Sequence, residues 1–210
     1  MSLVLYDCAT APSPRRARIF LAEKGVACEL MQVDLRNGEQ LGEAFRRINP
    51  QCTVPALVTE EGPVLTDNAA IAAYLEARFP EPPLLGRTAL DKADIAGWQW
   101  RIEFEGLLAI AEAFRNSSPA MANRALTGPV NYAQIPALAE RGLDRVQRFF
   151  AMLNEQLAGR NFIAAGQFSV ADITAVVAVD FARVVKIKPG DEHPHLRRWR
   201  EAMQARGTMG

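Results

Sequence analysis

Histidine is nearly missing from this chain. Only His193 and His195 occur, on either side of Pro194, so a His/Cys metal site has almost no ligands to draw on and none is expected. Cysteine is scarce as well. Cys8, Cys28 and Cys52 are an odd set without a Cys-x-x-Cys pair, which argues against a disulfide framework and for a reducing, cytoplasmic setting. An excess of charge of either sign is also absent. The 24 Lys and Arg balance the 24 Asp and Glu, so neither nucleic acid nor a membrane surface is expected as a partner, although a local patch could hold a small anion. No apolar stretch is long enough to cross a bilayer. The opening MSLVLYDCAT has no basic leader and no signal-type apolar core, and it reads as a strand.

What is there is a globular composition, 49% hydrophobic and 23% charged over 210 residues, which suits one large domain or two small ones. Leu3 to Tyr6 is a short apolar run, and a proline-containing loop from Asp7 to Pro14 follows it. From Arg15 the spacing is helical. Ala17, Ile19, Phe20, Leu21 and Ala22 fall on an apolar side; Arg15, Arg16, Arg18, Glu23 and Lys24 fall on a wet side. Pro14 suits the first turn and Gly25 the stop. Cys28 to Val33 alternates as a second strand, and strand, helix and strand in so short a span make a βαβ unit with parallel strands. Glu39 to Ile48 reads as a helix. Ala56 to Thr59 and Val64 to Leu65 form a hairpin around Glu61-Gly62-Pro63. Asp67 to Arg78 is a helix capped by Asp67 or Thr66, with Ile71, Ala72, Tyr74 and Leu75 inward. A proline-rich connector begins at Pro80, and after it strand signals stop. Leu90 to Arg115, Pro136 to Leu157, Val170 to Val185 and His195 to Ala205 read as helices, with an irregular stretch from Asn116 to Tyr132. The expected class is α/β plus all-α: a βαβαββα domain over 1–80, a linker over 81–89 and an all-helical domain over 90–210.

Three features carry chemistry. Val54-Pro55 stands directly before a strand, where a proline cannot donate to the ladder. A cis bond there would turn the Val54 backbone groups outward to a ligand, and an ordinary trans turn is the alternative. Asp67-Asn68 opens a helix, where N–H groups suit a carboxylate; plain capping accounts for the same residues. The loop Thr10-Ala-Pro-Ser-Pro-Arg-Arg16 brings the Ser13 hydroxyl to the start of the first helix. A thiol of pKa about 8.5 needs about 1.5 units of lowering, roughly 2 kcal/mol, to be half ionised at neutral pH. A helix N-terminus with one or two charge-assisted hydrogen bonds supplies energy of that order. Here too a cap for Ser13, and a solvated face for most of Arg15, Arg16 and Arg18, are the bland readings.

Taken together, the order βαβαββα with "DLRNGEQ" at 34–40, "INPQCTVPAL" at 48–57, "LTDNAAIAAYL" at 65–75 and "FSVADITA" at 168–175 resembles the glutathione transferase family along nearly the whole chain. The third segment is similar to that family's Leu-Thr-Glu-Ser-x-Ala-Ile-x-x-Tyr-Leu, and the fourth to its helix-capping box, with Ser169 as cap and Asp172 bonding back. "YDCATAPSPRRARIFLAEKG" is similar to a bacterial and fungal subgroup. The resemblance implies a thioredoxin-like N-terminal domain and glutathione as co-substrate. The Val54 backbone, with Pro55, would pair with the cysteinyl part, Asp67 and Asn68 would hold the γ-glutamyl end, and Gln51, Cys52 and Thr53 would lie by the glycyl end. Departures stand out. Asp-Asn replaces Glu-Ser, Cys52 stands where some classes have His, and the thiol-activating group is open. Ser13 is the candidate; Tyr6 is placed in the core; first-helix N–H groups, a water, or side chains from Arg115 to Ser118 are alternatives.

The implied activity is attack of glutathione thiolate on an apolar electrophile, with hydroperoxide reduction as a second outlet and detoxification as the setting. The electrophile pocket is expected between the domains, with Thr10, Ala11, Phe104, Leu108, Phe114, Arg115 and Asn116 as candidates, plain core being the readier reading for Leu108 than for Phe104. The alternative is a non-enzymatic glutathione-binding or regulatory member of the fold. A disulfide oxidoreductase would want a cysteine where Ser13 and Pro14 stand, and Cys8 is read as part of the strand. Homodimerisation is implied by the resemblance, and the first long helix is unusually rich in aromatics at Trp98, Trp100 and Phe104.

Overall fold

A computed structural model of the chain describes residues 2–209; Met1 and Gly210, the outer ends of the expected domains, lie outside the described residues. The chain packs as two compact units, residues 2–82 with Leu126–Asn131, and Pro83–Ala125 with Tyr132–Met209.

The first unit is built on a four-stranded sheet. Strand β1 (Val4–Asp7) pairs parallel with β2 (Glu29–Gln32) and antiparallel with β3 (Ala56–Val58), which pairs antiparallel with β4 (Val64–Leu65). The parallel pair follows from the intervening helix α1 (Pro12–Glu23), because only a crossover can return the chain in the same direction. Leu3, Leu5, Leu57, Ile19, Phe20, Ile71 and Leu75 are buried and form its centre, the last two from α3 (Asn68–Arg78). Helix α1 begins at Pro12, ahead of the expected Arg15. Ala11 is its extended N-cap, so Pro12, Ser13 and Pro14 are all first-turn residues, where a missing N–H loses no intrahelical bond. It ends at Glu23, with Lys24 as its C-cap and Gly25 next at φ +64°.

Two assignments along α1 are corrected. Ala22 is exposed, and Lys24 is buried. Lys24 Nζ pairs with Glu76 at 2.5 Å and donates to the carbonyls of Phe79 and Pro82 at 2.7 and 2.5 Å. An ammonium accepts burial when its three protons meet acceptors, and here they tie the end of α1 to α3 and the connector. The helix expected over 39–48 is split into a 3-10 turn (Glu39–Leu41) and α2 (Glu43–Arg46), because Gly42 between them is extended, with ψ 157°.

The second unit is helical: α4 (Ala89–Arg101), α5 (Leu108–Ser117), α6 (Pro136–Gln156), α7 (Val170–Phe181) and α8 (Pro194–Gln204). One continuous helix was expected across α4 and α5. The path is continuous, but Ile102–Leu107 widens into a π-helical turn, against which the Phe149 ring packs at Gly106. Gly142 of α6 lies directly on the α5 backbone at Ala109 and Ala113. The Ser169/Asp172 capping box forms as expected, and from Ala171 to Val179 every α7 residue is buried.

Candidate active site

The first α1 turn is held from below. Asp7, the last residue of β1, is buried and pairs with Arg18 of α1, and Gln32 of β2 donates to its second oxygen at 2.6 Å. Arg18 also donates to the carbonyl of Ala9 at 3.2 Å, and the Gln32 side-chain oxygen accepts from Ala9 N at 3.0 Å. Side chains from three elements thus fix the loop between β1 and α1. A buried carboxylate is tolerated only with such donors. The sequence reading did not single out Asp7 or Gln32; an acid closing an apolar strand was the available signal. Arg18 is committed to this network rather than solvated. Cys8 follows the strand rather than belonging to it, with its sulfur 3.6 Å from Thr10 Oγ1. Thr10 is exposed and Ala11 half-buried.

Above this base, Ser13 and Asn68 meet. Asn68 Nδ2 donates to Ser13 Oγ at 3.0 Å, and an Arg16 guanidinium nitrogen lies 3.4 Å from the same oxygen. A side chain from the first turn of α1 therefore touches one from the first turn of α3; of Pro12, Ser13 and Pro14, only Ser13 has a backbone N–H. Asp67 is the α3 N-cap, its carboxylate accepting from Ala70 N at 2.8 Å. The Val54–Pro55 bond is cis, as is Glu81–Pro82, which the sequence reading did not single out.

The loop before Val54 is organised by buried Asn49. Its Nδ2 donates to Thr53 O at 2.8 Å and Thr53 Oγ1 at 3.1 Å, and its Oδ1 accepts from Gln51 N at 2.9 Å. Gln51 is exposed and Thr53 half-buried. Cys52 is different: at φ 55° it turns its side chain into the protein, where it is 2% exposed. Its sulfur lies 3.6 Å from the Pro50 carbonyl, and its N–H donates to Asn49 O at 3.0 Å. Tyr6 packs edge-to-face on Phe45 at 5.9 Å, beside the cluster of Val33, Phe45 and Val54, so its ring serves the core. Gly128, from the irregular stretch, sits by the Gln51 carbonyl; sequence reasoning had no signal for that return.

The remaining expected residues belong to the helical unit. Phe104 is exposed and stacks on Trp100 at 5.3 Å, with Arg145 over its other neighbourhood at 4.9 Å. Leu108, read as core, is 40% exposed, because it lies one turn on from Phe104 along the same stripe. Arg115 is half-buried, and burial first, then the nearby Arg124 charge, lowers its pKa. Asn116 is buried, its Nδ2 donates to Glu112 O at 2.9 Å, and its Oδ1 accepts from Ile135 N at 2.9 Å, so the amide ties α5 to the residue before α6. Ser117 likewise donates to Ala113 O at 2.7 Å. A cavity of about 600 Å³ in this unit is lined by Trp98, Arg101, Arg160, Asn161 and Phe162, among others; none of the expected site residues lines it. Among the described residues no group of His, Cys, Asp or Glu is gathered that could hold a metal ion.

The glutathione S-transferase N-terminal domain family matches residues 10–78 and the C-terminal domain family residues 118–206. Glutathione S-transferase 2 of Saccharomyces cerevisiae is 31% identical over 99% of this chain and 88% of that protein. The chain belongs to the glutathione S-transferase family. Solved members agree in fold. Gtt2 of Saccharomyces cerevisiae superposes with a TM-score of 0.89 at 30% identity over 98% of both chains. A glutathione S-transferase domain-containing protein of Marinobacter aquaeolei VT8 gives 0.87 at 33% identity, over 99% of this chain and 100% of its own. The thioredoxin-like first unit and the helical second unit are this family's architecture.

Proposed function

We propose that the chain is a glutathione transferase, which binds glutathione in its N-terminal domain and attacks an apolar electrophile with the sulfur. The observation that carries this reading is the contact of Asn68 with Ser13. It brings a side chain at the start of α1 against one at the start of α3, with Ser13 half-buried. In this reading the γ-glutamyl end lies at Asp67 and Asn68, the cysteinyl part pairs with the Val54 backbone beside Pro55, and the glycyl end lies near Gln51, the Cys52 backbone and Thr53. The sulfur then reaches the first turn of α1. The Ser13 hydroxyl and the Ser13 N–H, the one N–H among Pro12, Ser13 and Pro14, stabilise the thiolate, and its lone pair attacks carbon as the leaving group departs. The same thiolate attacks the outer oxygen of a hydroperoxide, releasing the alcohol and leaving a glutathione sulfenate, which a second glutathione converts to the disulfide and water.

Thr10, Ala11, Phe104, Arg115 and Asn116 are kept as contacts for the electrophile. The reading extends to domains over 1–80 and 90–210 joined by 81–89, a cytoplasmic setting and a homodimer. No helix among the described residues is long and apolar enough to cross a membrane. The exposed stripe of Trp100, Phe104 and Leu108 is the kind of surface a partner subunit or an apolar substrate covers. The test is conjugation of a generic aryl halide with and without glutathione. Saturable, glutathione-dependent turnover above the uncatalysed rate is expected; glutathione binding without turnover would leave the regulatory alternative.

A further inference from the structure

The geometry points to Asn68 as a positioning residue for the Ser13 hydroxyl, one that holds its hydrogen free for the glutathione thiolate. The inference rests on the reading of Ser13 as the activating group. A serine hydroxyl has one hydrogen to give and two lone pairs to fill. Both neighbours of Ser13 Oγ are obligate donors: the Asn68 amide nitrogen at 3.0 Å and an Arg16 guanidinium nitrogen at 3.4 Å. Neither can take the serine hydrogen. The oxygen is thus an acceptor twice over, and its own O–H is left to a third partner, which in this corner is the thiolate. Two donors, one of them cationic, also pull electron density from the oxygen and make its hydrogen a better donor.

Chain position explains why an asparagine does this. Asn68 is the first residue of α3, directly after the cap Asp67, so its backbone is fixed by the helix start while its side chain leaves toward α1. Both Asn68 and Ser13 are half-buried, which limits competition from water. The resembling family motif has a serine here. A serine both donates and accepts, so it would not dictate the direction of the bond; the amide nitrogen does. Asn68 therefore acts through Ser13, a role separate from any contact of its own with the γ-glutamyl group.

Asn68→Asp is the incisive variant, because it keeps the shape and replaces the donor by an acceptor that captures the serine hydrogen. The readout is the pKa of bound glutathione, titrated by thiolate absorbance, with kcat and KM for an aryl halide beside it. In the wild-type background Asn68→Asp is expected to raise that pKa by about one unit and to lower kcat about tenfold near neutral pH. In a Ser13→Ala background the same change should move the pKa by no more than about a third of that amount. Asn68→Ala, which adds no charge, should follow the same pattern with a smaller rise, and it serves if the aspartate variant does not fold. Equal shifts in both backgrounds would overturn the inference, since added charge alone would then explain them. So would Asn68 variants that raise only KM for glutathione while the thiol pKa stays put. If Ser13→Ala itself leaves the pKa unmoved, the reading of Ser13 fails and the inference with it, a result distinct from an Asn68 failure beside a responsive Ser13.

Discussion

The indole nitrogen of Trp199 donates to a carboxylate oxygen of Asp172 across 3.0 Å, and the two side chains are 1% and 0% exposed. Asp172 also accepts from Ile163 N and Ser169 N at 3.1 Å each. It joins α7, α8 and the segment before α7 at one buried point. Burial, outweighing these hydrogen bonds, pushes its carboxyl pKa up from 3.8 to about 6. The folded state therefore binds this proton more tightly than the unfolded chain does. Its contribution is fully present below pH 3.8 and is lost as pH rises through 6. Relative to Asp172→Asn, wild-type stability should fall by up to about 3 kcal/mol between those limits. Denaturant unfolding of both proteins across that range checks it; a difference that grows with pH contradicts it.

Lys24 is the second buried charge. Lys24→Met strips Glu76 of its ammonium and the carbonyls of Phe79 and Pro82 of their donor. Removing one partner of such a pair costs about 3 kcal/mol or more. A urea titration should show that loss; a change below about 1 kcal/mol would mean that the ammonium sits in water.

Gly142→Ala tests the contact of α5 with α6. The new Cβ would stand 2.6 Å from Ala113 N and 2.7 Å from Ala109 O. Those are backbone atoms, which cannot swing aside. Overpacking of about 1–3 kcal/mol opposes a helix-propensity gain of about 1 kcal/mol, so a lower melting temperature is expected. A higher one would show that the helices separate freely.

What the sequence made legible was mostly local. Turn residues marked the hairpin, apolar spacing marked α1 and α3, and Ser169 with Asp172 marked the start of α7. The miss at Pro12 was also local: prolines read as loop where a first helical turn accommodates them. What could not be read was pairing across distance. Lys24 is separated from Phe79 and Pro82 by 55 and 58 positions, and Ser13 from Asn68 by 55. Ser13 and Asn68 could each be nominated from their place at a helix start, but nothing in either segment says that they touch. The open face of Leu108 was lost for a related reason, since periodicity cannot say how wide a buried stripe is.

Asp67 holds two roles that one substitution separates. Asp67→Ser keeps a side-chain cap for Ala70 N and removes the charge. Thermal stability should be nearly unchanged, while glutathione affinity falls by about 2 kcal/mol, roughly thirtyfold in Kd. Calorimetry showing unchanged affinity would remove the γ-glutamyl group from this helix start.

The central claim is that the corner of Ser13, Asn68 and the first turn of α1 stabilises a thiolate. The most direct measurement is the ultraviolet absorbance of the glutathione thiolate, titrated against pH in the complex with the wild-type protein. The account predicts a pKa about one unit or more below that of free glutathione. A bound thiol that titrates no lower than the free one would contradict it and leave the protein a glutathione binder without the means to activate the sulfur.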